Sequence, residues 1–201
     1  MRKLFLLILL IGGGYLAYQL YAQSSAANFS FPNAVAWKEI VSDPSSPSSN
    51  SSDTVAILDG RCRIEIPKPR GTVVVVFDGP RVADYYPKGT NYPKGTPQYA
   101  QQLDPRPALQ KLYAALPSPV GVPIERLGTN ECWHFKMRGV PSMGVSAADV
   151  WVDTKTRFIR KISSVINGQT TTNTYELLPL DVRGQANRLF DPNNLQVLLP
   201  R

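Results

Sequence analysis

The chain has one histidine and two cysteines in 201 residues. Charged residues are sparse at 18%, and the 15 acidic side chains are outnumbered by 22 lysines and arginines. One histidine excludes any site that needs two imidazoles. Two cysteines exclude a small scaffold held by many disulfides. No Gly-x-Ser-x-Gly elbow, glycine-rich phosphate loop or His-Glu-x-x-His pair occurs. The net charge of +7 is scattered. Arg157, Arg160 and Lys161 come nearest to a patch, and no basic stripe is interleaved with aromatics. Nucleic acid is therefore not an expected partner. What the chain does have is 43% apolar residues, enough for a core, and 18 prolines, which argue against long helices.

Arg2 and Lys3 precede an apolar run over residues 4–22. Gly12, Gly13 and Gly14 interrupt it, and small residues follow at Ser24, Ser25, Ala26 and Ala27. Residues 1–27 read as a cleaved signal peptide or a retained N-terminal membrane anchor. Either places the remainder outside the cytoplasm, in the periplasm or facing it. Residues 28–53 read as a short helix over 33–41, carrying Val35, Trp37, Ile40 and Val41, then a flexible Ser/Pro-rich stretch. Export favours a disulfide between Cys62 and Cys132. Parity opposes it: Cys62 alternates with buried-looking Ile64 and Ile66, whereas Cys132 alternates with His134 and Lys136. Both outcomes stay open at the level of sequence.

From residue 54 the pattern is strand-like. Apolar and alternating runs end in Asp59-Gly60 and Asp78-Gly79-Pro80, as a meander requires. Residues 105–116 place Leu109, Leu112, Tyr113 and Leu116 at helical spacing, with Pro117 and Pro119 as stops. Strands resume at 131–138, 147–152, 157–166 and 169–177, the last two joined by Asn167-Gly168. The expected class is α+β: a curved antiparallel sheet of about seven to nine strands, with a few helices on its concave face.

Catalytic candidates are few. Cys132 and His134 share one strand face, but their side chains stand parallel and no third group is identifiable to orient the base. Cys62, Cys132 and His134 lack a fourth metal ligand at recognisable spacing. No enzyme activity, cofactor or metal is expected. The strands instead offer apolar surface beyond one sheet face. Trp133, Phe135, Met137, Trp151, Tyr175 and Leu177 are the expected lining of a hydrophobic cavity.

Certain phrases resemble a known family. Gly60-Arg61-Cys62-Arg63-Ile64-Glu65-Ile66-Pro67, followed by a valine-rich strand, is similar to the early strands of the LolA/LolB-like lipoprotein-carrier superfamily and its uncharacterised exported relatives. Leu127-Gly128-Thr129-Asn130-Glu131-Cys132-Trp133-His134-Phe135 resembles their central strand. Asp149-Val150-Trp151-Val152-Asp153 and Leu189-Phe190-Asp191-Pro192 fall in the same order. The resemblance implies that residues 54–201 form a half-open barrel plugged by helices, with an apolar cavity for acyl chains. It has departures: Asn193-Asn194 stands where an aromatic or a second proline is usual. The expected function is an exported, monomeric binding protein for a lipid or acylated protein. The alternative is a membrane-tethered structural or sensing domain without cargo.

Overall fold

The computed structural model describes residues 29–42, 51–87, 103–140, 145–166, 169–180, 186–193 and 195. The segment 1–27 lies outside them. Ten strands build one antiparallel sheet: β1 (Ala34–Ser42), β2 (Ser51–Leu58), β3 (Arg61–Lys68), β4 (Gly71–Asp78), β5 (Arg81–Tyr85), β6 (Ile124–Leu127), β7 (Asn130–Val140), β8 (Val145–Asp153), β9 (Ile159–Ile166) and β10 (Gln169–Leu178). Helix α1 (Arg106–Ala115) lies between β5 and β6, and α2 (Ala186–Leu189) follows β10. The strand order is β5-β4-β3-β2-β1-β10-β9-β8-β7-β6.

Two five-strand meanders thus join at their first and last strands. β1 pairs with β10 through Trp37 opposite Leu177 and Glu39 opposite Tyr175. β5 and β6 become the two edges, so the connection that carries α1 must travel from one edge to the other. The sheet stays open, and the class is mostly β rather than balanced α+β. The turns explain the meanders. Leu58 pairs with Arg61, leaving the two-residue loop Asp59-Gly60. Both loop residues have positive φ, 49° and 77°. That is the twist a tight hairpin needs, and glycine adopts it without steric cost.

The expected helix over 33–41 is corrected to strand β1. Val35 and Trp37 alternate with Ala34 and Ala36, and the register with β2 and β10 uses that period of two. In sequence the Ser/Pro-rich stretch falls between β1 and its hairpin partner β2, both of which belong to the sheet. Residues 43–50 themselves fall outside the described set. The domain therefore starts before residue 54.

One face of the sheet carries the main core. Val35, Trp37, Val55, Ile64, Val75, Phe135, Val150, Ile162 and Tyr175 join Leu109, Leu112 and Tyr113 of α1 in a single cluster. The α1 contact is fixed by polar bonds at both ends. Arg106 donates to the Gly60 carbonyl. The Tyr113 hydroxyl accepts from the Ile159 amide at 3.0 Å and donates to the Arg157 carbonyl at 3.3 Å. The opposite, outer face holds a smaller cluster of Ala36, Ala56, Leu58, Leu189 and Phe190.

Cys62 and Cys132 are free and buried. The disulfide is excluded by sidedness and distance across the sheet. Cys62 belongs to the inner cluster, Cys132 shares the outer parity of His134, and five strands separate β3 from β7. Burial pushes the Cys132 thiol up to about 11 and raises Cys62 further. A thiol reagent at pH 8 is expected to leave both untouched in the folded chain. In guanidinium without reductant it should count two; a count of zero would reveal a bond.

Candidate functional site

The inner face brings five of the six sequence-predicted lining residues to one side. Phe135 is buried, and Trp133 and Met137 on the same strand pack against the main cluster. The Phe29 ring meets Trp133 and Phe135 edge-on, with centroids 5.8 and 5.6 Å apart. Tyr175 is buried in the same cluster, and Leu177 is half-buried beside it. Trp151 is the exception. Its neighbours Val150 and Val152 occupy the inner face, so a period of two turns Trp151 outward. There it stacks on His134, its register partner, at 4.3 Å and 11°.

Among the described residues, three cavities stand out against the sheet. One of about 320 Å³ sits where β1 begins and β10 ends. Its lining is Pro32, Ala34, Val35, Ala36, Thr156, Phe158, Leu177, Leu178 and Leu180, apolar apart from Thr156. A second, of about 540 Å³, is larger and mixed in character, with Arg160, Lys161, Thr172, Thr174 and Glu176 beside Leu127, Tyr175 and Leu177 in its walls. The third, of about 150 Å³, lies by Lys38, Ser52, Thr54, Pro67 and Leu178. None of the three is lined by Trp133, Phe135 or Met137. The apolar side chains of its lining make the first cavity the candidate site, although backbone polar groups share its wall and it is not the largest.

The next inward-facing residue of β1 after Val35 is Trp37, which is not part of that lining. It is fully buried, faces Leu177 across the strand pair, and meets the Phe158 ring at 5.5 Å. Its indole Nε1 has no hydrogen-bond partner. Leaving a buried donor unpaired costs about 1–3 kcal/mol, so such atoms call for a reason. One step further along the inner face, Glu39 opposes Tyr175 and Asp53. The Asn173 amide donates to Glu39 at 2.7 Å. Burial, with Asp53 adding to it, holds the Glu39 carboxyl above the usual carboxylate range, and burial raises Asp53 too. Burial also lifts the Tyr175 phenol well above its ordinary value. The inner face is thus apolar at one end and carries protonation-prone acids at the other.

The outer face of β6–β9 holds a separate polar cluster. His134 Nδ1 lies 2.7 Å from Glu125 and Nε2 lies 2.8 Å from Asp149. Trp151 Nε1 donates to the second Glu125 oxygen at 2.8 Å. These bonds, the tryptophan's foremost, hold Glu125 below its ordinary range. Lys161 Nζ sits 4.5 Å over the Trp151 ring. Both histidine nitrogens are engaged by carboxylates, which leaves neither for activating Cys132. No group of three ligating side chains arranged for a metal occurs among the described residues.

Sequence reading missed Val35 and Phe158, which line the candidate cavity. The signal was present: Val35, Trp37, Glu39 and Val41 recur at a period of two.

No family model and no curated protein matches this chain. Solved structures similar to it include a LolA superfamily protein from Nitrosomonas europaea. That protein is 14% identical, with 84% of this chain and 96% of that one covered and a TM-score of 0.32. Another is the Mycobacterium tuberculosis lipoprotein LppX, 11% identical, covering 85% and 98% of the two chains, with a TM-score of 0.43. A third is the Pseudomonas aeruginosa MucA/MucB complex, 12% identical, covering 79% and 57%, with a TM-score of 0.44. The superfamily that the sequence phrases resemble is the one to which the first of these belongs.

Proposed function

We propose that this chain is an exported binding protein for a lipid or lipid-anchored hydrophobic ligand. The observation that carries the reading is the apolar cavity of about 320 Å³ opening beside the inner face, with Phe158 and Leu177 in its wall. That volume lies within the range of ligand pockets. At a water's share of about 30 Å³ it has room for about ten methylene-sized groups. Each buried methylene contributes about 0.8 kcal/mol, so an alkyl chain would gain about 8 kcal/mol before ordering costs. The basic start and apolar run of residues 2–22 support export. No catalytic role is assigned to any residue.

Native mass spectrometry of the purified full chain, with solvent extraction, tests this. A co-purifying lipid of defined mass is the expected result. A clean apo mass that persists after incubation with membrane lipids would overturn it. The second reading, a tethered interaction domain without cargo, is favoured by the open edge strand β6, where Ile124 is 60% exposed. An uncleaved N-terminus together with an apo mass would support that reading.

A further inference from the structure

The second cavity, of about 540 Å³, collects polar side chains that the protein itself leaves unused. Thr172, Thr174 and Glu176 alternate along β10 with the buried Tyr175, so they stand on the outer side of the sheet. Lys161 is the register partner of Thr174 and of the outward Trp151. Its Nζ rests 4.5 Å over the Trp151 ring, and it makes no ion pair among the described residues. Arg160, 15% exposed, places Nε and Nη2 on one Asp153 oxygen, and its Nη1 makes no hydrogen bond among those residues. The same holds for the side chains of Thr172, Thr174 and Asn130, the last from the β6–β7 turn. All five of these donors are half-buried. A half-buried ammonium over an aromatic ring gains a strong, charge-assisted bond from an anion that enters beside it.

A bare anion does not account for the rest of the wall. At about 30 Å³ per water-sized group the cavity has room for about eighteen such groups. An ionised Glu176 only accepts hydrogen bonds, so its place in the wall fits a ligand that also carries hydroxyls. The threonine hydroxyls and the Asn130 amide both donate and accept, which suits the same groups. Two adjacent cations suit a phosphate monoester, whose charge approaches −2 and whose oxygens accept from both. We infer that this outer cavity binds a phosphorylated sugar or polyol, with Lys161 and Arg160 on the phosphate and Glu176, Asn130 and the threonines on the hydroxyls. These side chains lie across the sheet from the Tyr175 ring, so the site stands whether or not the inner face takes a lipid.

Calorimetric titration of the full chain at low salt tests this, with glucose 6-phosphate, glucose, inorganic phosphate and glucuronate as probes. Glucose 6-phosphate is expected to bind about tenfold more tightly than any of the other three. Lys161→Met keeps the stem over Trp151 and removes the charge. It should weaken glucose 6-phosphate about tenfold, and Lys161→Arg should retain binding. In the wild-type chain the Asn130 side-chain amide and the Thr172 and Thr174 resonances should shift with glucose 6-phosphate, a readout that needs no variant. Vesicles of phosphatidylglycerol carry a phosphorylated polyol at a surface. Binding to them that Lys161→Met removes would assign the ester to a membrane headgroup, and no vesicle binding would assign it to a soluble ester; both uphold the site. Inorganic phosphate or glucuronate bound as tightly as glucose 6-phosphate would overturn the ligand class. No binding of any probe, vesicles included, or binding unchanged in Lys161→Met, would overturn the site.

Discussion

Replacing Arg63 with methionine is expected to lower the melting temperature by about 10 °C and to free the C-terminal segment for proteolysis. Arg63 is 0% exposed although its strand shows an alternating polar pattern. Its guanidinium Nε lies 2.8 Å from Glu65, which is 4% exposed. Nη1 donates to the Leu189 carbonyl at 2.7 Å, 126 residues away in sequence, and Nη2 to the Leu195 carbonyl at 3.3 Å. Arg61 adds its cation over the Phe190 ring at 5.2 Å. One arginine therefore straps the tail across the outer face, above Ala36, Ala56 and Leu58. Removing one partner of a buried pair costs about 3–5 kcal/mol, because the remaining charge stays in a dry site. At about 2–4 °C per kcal/mol for a domain of this size, the shift follows. The double change Arg63→Met with Glu65→Met should recover much of the loss, since both charges then leave together. An unchanged melt and an unchanged cleavage pattern in Arg63→Met would show that the strap holds by its apolar contacts alone.

Phe135→Asp should abolish cooperative unfolding altogether. Phe135 is 2% exposed, packed by the Phe29 ring at 5.6 Å and opposite Val150. The change deletes a large aromatic and buries a carboxylate without a partner, two costs that together rival the whole stability of a domain. Ile124→Asp is the matched control. Ile124 pairs with Trp133 and so shares the inner parity, yet it is 60% exposed on the edge strand. Its replacement should shift stability by no more than about 0.5 kcal/mol. Circular dichroism melts of the two variants read the contrast. Equal effects would mean that parity decides stability rather than the cover that α1 and Phe29 supply.

The strands after residue 54 were legible because two local rules agreed. The alternation through Arg61, Cys62, Arg63, Ile64, Glu65 and Ile66 gave period two, and Asp59-Gly60 supplied a residue pair that takes the positive φ of a tight hairpin. Helix α1 was legible from Leu109, Leu112 and Tyr113, all buried as their spacing requires. Strand β1 was misread because Trp37, Ile40 and Val41 also fit a helical spacing. A short apolar run cannot separate the two periods by itself. One partner, β10, lies at the far end of the chain, and the other, β2, is separated from it in sequence by the Ser/Pro-rich stretch rather than by a recognisable tight turn. Trp151 was misassigned by residue type, and the parity of Val150 and Val152 already pointed it outward.

By itself the sequence determined the alternations, the turns and the helix between two meanders, because each depends on residues a few positions apart. It left the pairing of Cys62 and Cys132 open, because parity argued against a bond that export favoured; the sheet order decided it. Only the tertiary structure decided that β1 and β10 close the sheet at its centre. That pairing sends the connection through α1 from edge to edge over the inner face. Only the tertiary structure made Arg63 a buried residue, by bringing the Leu189 carbonyl onto its guanidinium, and left the buried Trp37 indole N–H without a partner. Periodicity reports which residues share a side. Which side becomes dry depends on what distant segment comes to cover it, and that is fixed by the fold as a whole.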